Sequence, residues 1–170
     1  MKIELQKVDL EEKEILKNLL EKYEYEFSQW TNKGVNKLGL YGYKYLDFYW
    51  TEESRYPFFI MVDNALAGFV MINDFPEADE EVDYVISEFF VMYKYRRLGV
   101  GRIAAFKAFD SFRGRWQLKR HPKNKASVYF LDKVVKEYTK GDYRLVEGYK
   151  DTEFEDGTLG DVFFFDNRKV

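Results

Sequence analysis

From Tyr84 to Phe112 an apolar strand pattern runs into a basic, glycine-bearing turn that opens straight onto an apolar helix pattern. No other stretch restricts the fold as much. A strand delivering the chain into a helix belongs to a sheet that the helix covers. The segment reads Ser87-Glu88-Phe89-Phe90-Val91-Met92-Tyr93-Lys94-Tyr95-Arg96-Arg97-Leu98-Gly99-Val100-Gly101-Arg102-Ile103-Ala104. Its turn is an anion site in waiting. The first N–H groups of a helix lack intrahelical acceptors and sit at the positive end of the dipole. Gly99 and Gly101 carry no Cβ, so a phosphate can approach the backbone.

The flanking segments complete the pattern. Lys2 to Val8 alternates as a short strand, and Asp9 reads as a cap with Glu11 and Glu12 in the first turn of a helix. Apolar residues then recur at Ile15, Leu16, Leu19, Leu20, Tyr23 and Phe27, the 3.6-residue period of an amphipathic helix. Tyr41 to Trp50 reads as a further, aromatic helix. Phe58–Val62 and Leu66–Ile72 form a hairpin around Asp63-Asn64, and Tyr84–Met92 is a third strand. A helix over Val100–Phe112 ending near Gly114 and a strand over Trp116–His121 follow. A helix over Ala126–Tyr138 and two strands, Tyr143–Tyr149 and Leu159–Phe165, close the chain. The expected fold class is α+β: one domain over residues 1–170, with a mixed sheet of six to seven strands flanked by helices.

Composition narrows the chemistry. There is no cysteine and a single histidine, His121. Thiol nucleophiles, disulfides, thiolate metal sites and most histidine-based metal sites are thereby excluded, and a cytoplasmic setting is the simplest expectation. No stretch approaches the ~20 apolar residues of a membrane helix, so no membrane partner is expected. Net charge is −3, which disfavours a nucleic-acid ligand. The charge is nevertheless polarised. Asp74 to Glu88 holds acids and no base, whereas Tyr93 to Lys125 holds bases and one acid, Asp110. Two solvated faces would explain this; so would one pole for an anionic ligand and one for a cationic ligand.

A P-loop would need Gly-Lys-Ser/Thr at the end of the turn, which is absent. Gly99-x-Gly101-x-x-Ala104 meets only the loosest dinucleotide fingerprint, because Tyr93 to Leu98 separates the glycines from the strand and the later strand carries Lys119, Arg120 and His121 in place of an acid. Arg96-x-x-Gly99-x-Gly101 instead resembles the Arg/Gln-x-x-Gly-x-Gly/Ala pyrophosphate loop of the GCN5-related N-acetyltransferases (GNAT). Asn124-x-x-Ser127-x-x-Phe130 resembles the Asn-x-x-Ala-x-x-Phe stretch opening that family's next helix. The motif likeness spans about residues 84 to 138, and the element order agrees beyond it.

The resemblance implies an acetyl-CoA-dependent N-acetyltransferase acting by direct attack of a primary amine, without a metal. It implies that the strand before the loop splays from its neighbour, with Val91 and nearby backbone holding the pantetheine arm and a main-chain N–H near Val91 polarising the acetyl carbonyl. Arg96, Arg97, Leu98, Gly99, Val100, Gly101 and Arg102 would form the pyrophosphate loop, and Asn124 would bond the amide arm. Glu88 is the candidate base. One position departs from the pattern. The family's frequent Tyr after the helix Phe is Leu131 here, so the general acid is unassigned. Tyr129 is expected to face elsewhere, and Tyr138 and Tyr143 are the substitutes. His121 reads as a surface residue or loop anchor. The acceptor would be a small-molecule or peptide amine, drawn by the acidic loop and met by an aromatic lid over Tyr41–Tyr56. The family often forms homodimers. Rival readings are a coenzyme A-binding module without turnover, favoured by Leu131, and a nucleic-acid-binding protein using Tyr93–Lys125.

Overall fold

The computed structural model describes residues 1–170. Strand β1 (Ile3–Lys7) leads into helix α1 (Lys13–Thr31) and the short α2 (Phe48–Thr51). Three strands follow: β2 (Tyr56–Val62), β3 (Ala65–Asn73) and β4 (Tyr84–Val91). Then come α3 (Val100–Ser111), β5 (Arg115–Arg120), α4 (Lys125–Thr139), β6 (Arg144–Val146) and β7 (Asp161–Asp166). The seven strands form one sheet in the order β1-β2-β3-β4-β5-β7-β6. Only the β4–β5 pair is parallel, so the sheet is mixed as expected.

The sheet is apolar on both faces, which explains why β3 reads as an unbroken apolar run rather than an alternating one. Phe59, Phe69, Met71 and Phe90 pack under α1 and α2 with Leu16, Leu20 and Tyr49. Ile60, Val70, Ile72 and Ile86 point the other way, against Ala104, Ala108, Phe109, Val134 and Val135 of α3 and α4. The β2–β3 turn is Asp63-Asn64, both with positive φ, as a tight hairpin requires.

Three expectations change. Tyr41–Trp50 is not one helix; only Phe48–Thr51 is helical. Gly42 takes a positive φ, and Glu21 of α1 accepts the N–H groups of Tyr41 (2.8 Å) and Gly42 (3.0 Å), pinning the segment as a loop. Helix α3 ends without a glycine cap, since Phe112 turns extended at its C-terminus. The penultimate strand shrinks to Arg144–Val146, because Gly148 takes a positive φ and its N–H turns to Asp161 Oδ1 (3.0 Å).

Strands β3 and β4 touch at Gly68, where a Cβ would lie 1.9 Å from the Phe90 carbonyl oxygen. Gly68→Ala is expected to cost about 1–3 kcal/mol by forcing these strands apart. A thermal melt unchanged from the wild type would contradict this.

Candidate active site

Strands β4 and β5 pair only through Tyr84↔Trp116, Val85↔Gln117 and Ile86↔Leu118. Beyond Ile86 they diverge, and a cleft of about 1580 Å³ opens between them, walled by α1, the start of α3, the start of α4 and the β6–β7 loop. The divergence has a local cause. On the β3 side, Met71 faces Glu88 while Ile72 faces Ile86, so Ser87 is an extra residue, a β-bulge. Bulges bend a strand and re-aim its side chains. This one is fastened: Asn73 Nδ2 donates to Tyr49 Oη (3.0 Å), the Tyr49 hydroxyl lies 2.9 Å from Ser87 Oγ, and Ser87 Oγ donates to the Met71 carbonyl (3.2 Å).

The bulge delivers Glu88 into the cleft. The Tyr43 hydroxyl donates to its Oε1 over 3.4 Å, and no cation pairs with it. Burial pushes its carboxyl up to about 8, and the nearby Glu24 and Glu77 carboxylates push the same way against the Tyr23 and Tyr43 phenols. Burial also raises the Tyr23 and Tyr43 phenols, so both are hydrogen-bond donors at neutral pH.

The edge of β4 that faces the cleft has a definite phase. Met92 N donates to Ala67 O (2.8 Å), toward β3. Successive residues of an antiparallel pair alternate between facing the partner and facing away. The N–H groups of Phe89 and Val91 therefore face the cleft.

The loop beyond β4 ends at α3, whose first intrahelical bond is Ile103 N to Gly99 O (3.1 Å). The main-chain N–H groups from Arg97 to Arg102 have no acceptor in the protein. Arg97 (φ 62°) and Gly99 (φ 81°) both take left-handed conformations, which folds these N–H groups into a concave anion nest. The space in front of Gly99 is open. Gly101 lets α3 approach α4, since a Cβ there would lie 3.1 Å from the Phe130 ring. These groups fit a pyrophosphate without help from the loop's charges, most of which are engaged elsewhere. Arg96 forks onto Glu26, and Arg102 binds Glu137 of α4. Arg97 is exposed at the cleft and forms no ion pair. Leu98 is exposed at the tip of the loop, and Val100 is buried under it. Asn124 caps α4, its Oδ1 accepting from Ser127 N (3.1 Å); its Nδ2 makes no bond within the protein.

Other expectations are redrawn. Tyr138 and Tyr143 are absent from the cleft wall; the Tyr138 hydroxyl donates to Asp110 (2.9 Å), and Tyr143 packs on Phe163. Tyr129, expected to face away, is on the cleft wall and largely exposed; Leu131 is on the same wall and also packs against the core. His121 is a buried loop anchor. Its Nδ1 accepts from Lys123 N (3.2 Å), so its Nε2–H donates to Asp156 (3.1 Å) and ties down the β6–β7 loop. The acidic loop is mostly occupied by structural pairs: Glu81 and Asp83 with Arg115, and Glu80 with Arg144. Of the aromatic segment, Tyr49 is buried and the Trp50 indole donates to Val8 O (3.0 Å); only Tyr45 lines the cleft.

Sequence reasoning missed the acids of the cleft wall: Glu24 and Glu26 on α1, and Glu153 and Glu155 on the β6–β7 loop. Phe27 and Phe154, with ring centroids 5.8 Å apart, bring that loop against α1. An acidic face on α1 was visible, but which acids meet the cleft depends on how the helix docks.

The family model described as Acetyltransferase (GNAT) family matches residues 16–135. A comparison of the sequence with curated proteins gave no match. Among solved structures, an acetyltransferase from Thermus thermophilus aligns with a TM-score of 0.65 at 15% identity, over 98% of this chain and 97% of that one. The PaiA N-acetyltransferase of Thermoplasma acidophilum, in complex with coenzyme A, aligns at 0.60 and 12%, over 98% and 99%. The spermidine N-acetyltransferase of Vibrio cholerae, in complex with CoA and spermine, aligns at 0.58 and 14%, over 95% and 92%. At such identities these structures share the fold alone. With the family's sequence pattern running from α1 into α4 on that shared fold, the chain belongs to the GNAT acetyltransferase family.

Proposed function

We propose that this chain is an N-acetyltransferase that moves the acetyl group of acetyl-CoA to a primary amine by direct attack. The observation that carries the reading is the parting of β4 from β5 at Ile86, which aligns three features along one edge: Glu88, the cleft-facing N–H of Val91, and the nest from Arg97 to Arg102. Acetyl-CoA supplies an acyl thioester, whose thiol has a pKa of ~8.5 and leaves tolerably as thiolate without an acid. The nest donates its N–H groups to the pyrophosphate, Asn124 Nδ2 donates to the amide arm, and Val91 N–H polarises the acetyl carbonyl. Glu88 takes the proton of the attacking amine. Its carboxyl, held near 8, suits proton transfer to and from a basic amine.

The acceptor side favours a cationic amine. Glu153 and Glu155 face the cleft without a cation to pair with, and the Phe27, Trp30 and Phe154 rings line the same cleft. A spermidine enzyme on the same fold agrees with such an acceptor. The second reading, coenzyme A binding without turnover, draws on Leu131 in place of tyrosine.

Calorimetric titration with acetyl-CoA tests the cofactor side. Micromolar binding by the wild type is expected, lost in Gly99→Asp/Gly101→Asp. Gly99→Asp alone, whose side chain meets open space but must take a left-handed φ of 81°, is expected to weaken binding at least tenfold at a cost of about 1–2 kcal/mol in stability. Absence of wild-type binding would sink the reading. Binding with no turnover on a panel of mono-, di- and polyamines and lysine peptides would favour the second.

A further inference from the structure

Arg96 opens the phosphate-loop motif, yet its side chain turns away from the nest. Its Nη1 and Nη2 fork onto the two oxygens of Glu26 on α1 at 2.9 and 2.8 Å. Its Nε donates to the Val91 carbonyl at 2.6 Å. The guanidinium lies over Tyr93, 4.3 Å from the ring centroid, and 5.6 Å from that of Phe90. The fork leaves one N–H on each terminal nitrogen, but Glu26 neutralises the charge and holds the guanidinium against α1.

What the fork fixes is a peptide plane. Val91 C=O and Met92 N–H belong to the same peptide unit. Met92 N–H is bonded to Ala67 O (2.8 Å) on the β3 side, and Val91 C=O is bonded to Arg96 Nε on the cleft side. The unit is pinned at both edges in the stretch where β4 has lost its β5 neighbour. Two consequences follow for Val91. Its carbonyl is no longer a free acceptor facing the cleft, where it would repel the negative charge developing on an acetyl oxygen. Its N–H lies on the preceding peptide unit, which shares the Val91 Cα with the pinned one, so its swing is limited from that side.

We propose that Arg96, held by Glu26, is a positioning residue that pins the Val91–Met92 peptide so that the Val91 N–H is aimed at the acyl oxygen, and that it is not a phosphate ligand. This rests on the acetyl-transfer reading above. The pyrophosphate is then left to the main-chain nest and Arg97. The fork and the Nε donor are both required, so lysine cannot replace arginine here.

The test uses full-length protein, [1-¹³C]acetyl-CoA and no amine. Isotope-edited infrared spectroscopy reads the bound acetyl carbonyl, calorimetry reads affinity, and an amine accepted by the wild type gives kcat. For Arg96→Lys the expected result is a carbonyl band moved back toward its frequency in free acetyl-CoA and kcat lowered about 10–100-fold, in line with the penalty for misplacing one transition-state donor. The Kd for acetyl-CoA is expected to stay within threefold of wild type. Glu26→Gln, which keeps the packing, should shift the band and kcat the same way by less, and it serves if Arg96→Lys fails to fold. A Kd weakened more than tenfold with the bound band unmoved would make Arg96 a phosphate ligand and overturn the proposal. So would a lower melting temperature with wild-type band and kcat, which is the signature of a merely structural pair. Failure of the wild type to bind acetyl-CoA is a different result and removes the acetyl-transfer reading itself.

Discussion

Glu88→Gln is expected to lower kcat by about 10²–10⁴-fold, the usual worth of a positioned general base. Glutamine keeps the shape and can still accept from the Tyr43 hydroxyl, but it cannot take a proton. The wild-type profile carries a distinctive mark. With the carboxyl held near 8, activity should rise with pH through about that value as Glu88 ionises. That limb should vanish in Glu88→Gln, leaving only the limb of the acceptor amine, near the ~10.4 of a lysine-like group. A glutamine variant within threefold of wild type at pH 8 would remove Glu88 from the mechanism.

The same substitution should stabilise the protein. The folded pKa of Glu88 lies above its unfolded value of about 4.5, so the native state binds the extra proton. Stability from this group is therefore fully present below pH 4.5 and is lost as pH rises through about 8. Removing the ionisable group recovers that loss. Glu88→Gln should melt higher than wild type at pH 8 to 9, by roughly 2–4 °C for each kcal/mol recovered, and at nearly the same temperature near pH 4. Loss of activity with a gain in melting temperature marks a carboxylate kept for chemistry at a cost in stability. A melting temperature lowered at both pH values would mean that Glu88 is structural.

The largest loss of stability is expected at Arg120. It is 5% exposed at the end of β5, and it donates to Asp161 of β7 (Nε, 3.1 Å), to Asp132 of α4 (Nη1, 2.6 Å) and to the Val128 carbonyl (Nη1, 3.2 Å). One guanidinium thus joins two strands to a helix. Asp161 is as buried as its partner, and its other bond is from Gly148 N. Arg120→Ala leaves that carboxylate buried without a cation, which costs about 3–5 kcal/mol. The melting temperature should fall by roughly 10 °C for a chain of this size. Arg120→Leu/Asp161→Asn removes both charges and should regain much of the loss, because the penalty belongs to the orphaned charge. If the double variant melts no higher than Arg120→Ala, the cost lies in lost packing instead.

The order of strands and helices was legible in the sequence because each element is specified by its own periodicity. Leu16, Leu19 and Leu20 repeat at helical spacing wherever α1 docks, and Asp63-Asn64 makes a tight turn by its own backbone preferences. The nest from Arg97 to Arg102 was legible for the same reason: glycine spacing and a helix start are local properties. Glu88 was within reach, since the strand it sits on leads into that loop.

The tertiary structure decided everything that depends on partners distant in sequence. No local signal shows that β4 pairs with β5 for three residues and then parts, because that register rests on a bulge fastened by Tyr49, 38 positions from Ser87. The arginine that opens the motif reads as a phosphate contact in the sequence, and only the fold sets Glu26, 70 positions earlier, against it. The acidic loop read as a lure for a cation, yet Arg115 and Arg144 neutralise most of it, and the acids left facing the cleft without a cation come from β4 and the β6–β7 loop. A sequence displays charges and periods; whether a charge is free depends on which opposite charge the fold brings within a few ångströms, and only the packed chain sets that distance.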